Sequence, residues 1–77
     1  MTLNHIGSNQ TELELQDGTR VLFSYSTPVA YRRNGQCFRT AQHYSVTTSK
    51  HINAWFGEPL SRVTEVPQAE IDKLVAV

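Results

Sequence analysis

The stretch TPVAYRRNGQCFRT, residues 27–40, reads as two strands folded back on each other. Asn34-Gly35 sits between two runs rich in β-branched and aromatic residues. Asn and Gly tolerate the positive φ that a two-residue hairpin turn needs to match strand twist. A two-residue loop fixes the register: Arg33 opposite Gln36, Arg32 opposite Cys37, Tyr31 opposite Phe38 and Ala30 opposite Arg39. Side chains alternate along a strand, so Val29, Tyr31, Phe38 and Thr40 share one face. Ala30, Arg32, Cys37 and Arg39 share the other. Arg32 and Arg39 become diagonal neighbours there, spaced to share one anion.

Working upstream, TELELQ (residues 11–16) alternates leucine and glutamate, the pattern of a half-buried strand. Asp17-Gly18 marks the turn into a second strand, Thr19 to about Ser26. A two-residue loop would place Glu12 and Glu14 on the face of Val21 and Phe23. A three-residue loop, Gln16 to Gly18 with Gly18 left-handed, pairs Leu13 with Val21 and Thr11 with Phe23. It gathers every larger apolar residue except Leu22 on one face, and the hydrophobic pattern sets register, so the three-residue loop is expected. Thr27-Pro28 then marks a bend, a bulge or an edge, because proline donates no ladder hydrogen bond. Residues 1–10 are polar and aperiodic, a loose arm or a short edge strand.

Downstream, VTTSKHINAWFG (residues 46–57) carries a helix from start to stop. Thr47 or Thr48 supplies an N-cap, and Ile52, Trp55 and Phe56 recur at helical spacing as an anchoring face. Gly57 suits the left-handed C-terminal cap and Pro59 prevents continuation. LSRVTEV (residues 60–66) reads as one more strand. A last helix opens after Pro67, with Ile71, Leu74 and Val75 on its buried side. The expectation is one α+β domain over residues 1–77, ordered β-β-β-β-α-β-α. About five mainly antiparallel strands would carry two short helices packed on one face.

The chain has 77 residues and no net charge, but its charges are segregated. From Gly18 to Gly57 there is no acid, only Arg20, Arg32, Arg33, Arg39 and Lys50 with His43 and His51. All seven acids lie in the flanks. The basic hairpin with its tyrosines and Phe38 has ingredients for phosphate contact and base stacking, and equally for an ordinary solvated ribbon. Thr47, Thr48, Ser49 and Lys50 crowd a helix N-terminus, where unpaired N–H groups and the dipole favour an anion; one threonine cap would account for the hydroxyls more simply. The candidate binding residues are therefore Arg32, Arg33, Arg39, Tyr44, Thr47, Thr48, Ser49, Lys50 and His51.

His5, His43, His51 and Cys37 follow none of the usual zinc-ligand spacings, so no metal is expected, nor any other cofactor. Pairs such as Ser49/His51 or Cys37/His43 lack a carboxylate in the acid-free block to orient the histidine, which argues against an enzyme. A single cysteine favours a reducing compartment. The apolar runs are too short to span a membrane and the N-terminus lacks a signal-peptide pattern, so the cytoplasm is expected and no membrane partner. A domain of about this size buries only about 60% of the surface its unfolded chain exposes, which favours a homodimer or a bound partner.

TPVAYRRNGQCFRTAQHYSVTTSKHINAW, residues 27–55, resembles a family of small, functionally uncharacterised domains encoded by bacteriophages and other mobile elements. Thr27-Pro28-Val29, Phe38-Arg39-Thr40 and Tyr44 through Trp55 carry the resemblance. VPQAEIDKLV (residues 66–75) is similar to that family's closing segment, so the likeness spans roughly residues 20–75. It implies a phage setting without an established chemistry. An accessory protein that binds a host protein or ribonucleoprotein is the expected role, for instance an inhibitor of CRISPR or another defence. Direct binding of single-stranded nucleic acid or a phosphate ligand is the alternative.

Overall fold

The computed structural model describes residues 2–7, 9–57 and 62–75. Six strands lie side by side in chain order: β1 (Thr2–Gly7), β2 (Gln10–Glu14), β3 (Arg20–Ser24), β4 (Thr27–Arg33), β5 (Gln36–Thr40) and β6 (Val63–Val66). The first five form an antiparallel meander, and β6 runs parallel to β5. A parallel neighbour needs a long crossover, and α1 (Val46–Phe56) lies within it. The short helix α2 (Gln68–Val75) closes the chain. The segment 1–10 therefore contributes an edge strand, the sixth of the sheet.

Both registers read from the sequence are formed. Leu13 faces Val21 and Thr11 faces Phe23 across the three-residue loop. Gly18 (φ 89) is left-handed, and Leu15 N–H donates to Thr19 O at 2.8 Å. In the β4–β5 hairpin, Arg33 faces Gln36 and Tyr31 faces Phe38, with Asn34 (φ 53) and Gly35 (φ 77) both at positive φ.

The helices lie on opposite faces of the sheet, not on one. Leu22, Val29, Ala30 and Cys37 pack against Ile52 and Phe56 of α1, joined by Trp55 and Val63. Val21, Tyr31 and Val66 pack against Ile71 of α2, flanked by Leu13, Phe23, Phe38, Leu74 and Val75. A bulge makes the difference. Ala30 pairs with Leu22 and Pro28 with Phe23, so Val29 is the extra residue and turns to the same side as Ala30. With Leu22 and Cys37 these small residues make a second apolar face that α1 covers. Pro28 is buried at this bulge, beyond the last β4–β5 pair, where its missing N–H breaks no ladder bond.

Three boundaries also differ from expectation. The second strand stops at Ser24, and Tyr25-Ser26 is the turn. Ser45, not Thr47 or Thr48, is the α1 N-cap; its Oγ accepts from Thr48 N at 3.1 Å. Gly57 (φ 63) caps the other end as expected, its N–H donating to Asn53 O. Pro59 and the Leu60-Ser61 start of the last expected strand lie outside the described residues.

Candidate functional site

The helix α1 runs over β3 and β4, and its two ends meet opposite ends of the sheet. Its start touches Ser24, at the close of β3. Its end touches Arg32, near the close of β4. Eleven residues of helix separate them by about 16 Å. The helix start and the basic hairpin are therefore two surfaces. Arg32 does not join the hydroxyls of Thr47 to Ser49, although both lie in the acid-free block.

At the C-terminal end Arg32 and Arg33 are engaged within the fold, although Arg32 Nε is buried with no hydrogen-bond partner among the described residues. Arg32 Nη2 donates to Phe56 O at 2.7 Å, satisfying a carbonyl that the helix cannot pair itself. Its guanidinium carbon lies 5.6 Å from the Trp55 ring centre and 5.4 Å from that of Phe56. The last turn has no basic residue of its own, so the sheet supplies the charge that complements the helix dipole. Trp55 Nε1 donates to Glu12 Oε1 at 2.9 Å, and Glu12, Arg20, Arg32, Trp55 and Ile6 line a shallow cleft of about 220 Å³. Arg33 Nε donates to Thr19 Oγ1 at 3.0 Å, and its Nη2 lies 3.5 Å from Asp17 Oδ2. Asp17 also accepts from Thr19 N at 2.9 Å. That backbone bond, with Arg33 beside it, holds the Asp17 carboxyl below its ordinary pKa. Arg39, on the α1 face between Ala30 and Glu65, has a buried Nε with no hydrogen-bond partner among the described residues.

The N-terminal end is held by hydroxyls and one imidazole. Ser45 Oγ donates to Thr48 Oγ1 at 3.2 Å, and the Thr48 and Ser24 hydroxyls share a hydrogen bond at 3.1 Å. Ser24 Oγ is in turn hydrogen-bonded to His51 Nδ1 at 2.8 Å. Thr48 and Ser24 are buried, so two of the hydroxyls in this cluster hold the helix to the sheet and are not offered to solvent. Thr47 and Lys50 are exposed; Ser49 and His51 are half-buried.

Beside His51 stands Tyr25, its ring centre 6.1 Å from the imidazole. Tyr25 is 55% exposed and holds φ 59, a left-handed backbone that a bulky aromatic residue rarely adopts. It occupies the first position of the two-residue turn between β3 and β4, where glycine is usual. Tyr44 and Val46, on either side of the Ser45 cap, are also exposed apolar side chains. Burial and the nearby Asp72 carboxylate push the Tyr44 phenol above its ordinary pKa. Sequence reasoning missed Tyr25 as a surface residue. A turn without Gly, Asn or Pro at its centre leaves no local signal.

Among the described residues no group of three or more His, Cys, Asp or Glu side chains is placed to hold a metal ion. No described helix is long and apolar enough to cross a membrane. Residues 1–73 match a family described only as a family of unknown function, DUF8033. The chain belongs to that family. No curated protein and no solved structure matches it. The match runs from β1 into α2 and brings no chemistry with it.

Proposed function

We propose that this member of the family is a small non-enzymatic binding protein of the cytoplasm that docks on a host macromolecule through the start of α1 and the adjoining β3–β4 turn. The reading is supported above all by Tyr25, an aromatic side chain kept exposed at the cost of a left-handed backbone. Strain of this kind persists where the surroundings over-determine it and is concentrated at functional positions. Tyrosine is also enriched at interface centres, where a rigid ring adds area at little entropic cost. Tyr44, Val46, Thr47, Lys50 and His51 complete the surface. The basic hairpin plays a smaller part, since Arg32 and Arg33 are engaged within the fold.

In the phage setting implied by the sequence resemblance, the partner is a host protein or ribonucleoprotein, with a CRISPR or other defence complex as the model case. Capture from host lysate is the test. Wild-type protein recovers a specific partner, and Tyr25→Ala, which keeps the backbone strain and removes the ring, loses it. Recovery unchanged by Tyr25→Ala but abolished by Arg32→Ala with Arg33→Ala would move the site to the other end. Oligonucleotide binding that falls steeply with salt would favour direct nucleic-acid recognition, with Lys50 and Arg39 against the backbone phosphates.

A further inference from the structure

The sheet has two edges, and they are built differently. The β6 edge is four residues long and carries Glu65. The β1 edge is six residues long, TLNHIG, with no carboxylate, lysine, arginine or proline. Edges are ordinarily blunted by shortness, charge or proline, because their unpaired backbone groups template another strand. Leu3 is 69% exposed on β1 and Ile6 44%.

The ladder fixes which backbone groups of β1 face outward. Leu15 N–H donates to Thr19 O and Tyr25 N–H to Asn9 O, so the odd residues of β2 bond to β3. The even residues then bond to β1, where Glu12 faces Asn4 and Glu14 faces Thr2. Asn4 and Thr2 therefore point inward, and the N–H and C=O of Leu3 and His5 point away from the sheet.

We propose that β1 pairs antiparallel with β1 of a second copy about a two-fold axis through Asn4. This register sets Leu3 opposite His5 of the second copy and His5 opposite its Leu3. Each pair exchanges both of its N–H···O bonds, so every outward group of Leu3 and His5 is satisfied. An axis at His5 would use only one such pair, because Leu3 would then meet Gly7, which points inward at Gln10 beyond the bulge. Thr2 lies opposite Ile6 of the second copy, covering its exposed side chain. The contact strip is uncharged, and Glu12 and Glu14 stand one strand further back, so like copies approach without repulsion. A two-fold contact is self-complementary and removes the unprotected edge of both copies at once.

The axis makes the Asn4 pair a non-hydrogen-bonded one, with Cα atoms about 4.5 Å apart, inside the range a disulfide spans. In the full-length protein Asn4→Cys should oxidise to a covalent dimer. His5→Cys, whose copies are offset diagonally, should not, and neither should the wild type with its buried Cys37. Leu3→Pro removes an N–H that β1 does not use within the sheet and blocks the edge. It should sediment as a monomer with an unchanged circular dichroism spectrum, where the wild type sediments as a dimer. A wild type that stays monomeric at its solubility limit, or cross-linking through His5→Cys in preference to Asn4→Cys, overturns the proposal. So does a monomeric wild type that loses a captured partner on Leu3→Pro, an outcome that gives the edge to a different chain. Tyr25→Ala should leave the dimer intact, which separates this test from that of the docking surface.

Discussion

The two ends of α1 are fastened to one sheet by opposite means. At the end, a charged guanidinium from β4 caps the last carbonyl and lies over two aromatic rings. At the start, a relay of neutral hydroxyls and one imidazole joins Ser45, Thr48, Ser24 and His51. At the charged end Arg32 and Arg33 are engaged internally, and the hydroxyl-linked end leaves Tyr25, Thr47 and Lys50 facing solvent. A run of basic residues in a sequence is thus no measure of what the folded surface presents. Arg32 and Arg33 look like a phosphate site until their partners are seen.

The sharpest way to break the contrast is at Arg32. Arg32→Ala removes a charge-assisted hydrogen bond to a carbonyl and two ring contacts, and should cost about 3 kcal/mol. Arg32→Lys should recover less than half, because an ammonium has no planar fork to lie along the rings while it caps. Urea unfolding of both variants reads the difference. A loss no larger than that of an exposed ion pair, about 0.5 kcal/mol, would mean that the C-terminal end is not anchored as described.

The relay should yield less. Ser24→Ala leaves the buried Thr48 hydroxyl and the half-buried His51 Nδ1 without their common partner, at a cost of about 2 kcal/mol. Ser45→Ala, which removes the cap and the hydroxyl contact to Thr48 but leaves the bonds through Ser24 in place, should cost about 1 kcal/mol. The order of the two is the informative result. If Ser45→Ala is the more damaging, the helix start is held by its cap and the contacts through Ser24 add little.

Much of this was legible beforehand. The hairpin registers followed from Asn34-Gly35 and from the positions of Leu13, Val21 and Phe23, because turn chemistry and alternation are local. Gly57 and the Ile52–Phe56 anchor were legible for the same reason. The face of each helix was not. It turns on the bulge at Val29, and one extra residue reverses the alternation without leaving a mark in composition. The N-cap was obscured because Ser45, Thr47, Thr48 and Ser49 are all competent caps. Arg32 was read as a surface charge because its partner, Phe56 O, lies 24 residues away in the chain.

The smallest expected effect bears most directly on function. Tyr25 holds φ 59, which costs a non-glycine residue about 1–2 kcal/mol relative to a relaxed backbone. Glycine would relieve the strain but lose part of the gain to the greater freedom of the unfolded chain. Asparagine tolerates the left-handed region with less of that loss, so Tyr25→Asn should stabilise the fold by about 1 kcal/mol, less the ring's contact with His51. The same variant should lose the captured partner. Greater stability with lost binding is the signature of a residue retained for what it touches outside the molecule. Greater stability with binding intact would leave the strain at Tyr25 without a docking role. Lower stability would show instead that the ring holds the β3–β4 turn in place, and the two ends of α1 would then both be structural.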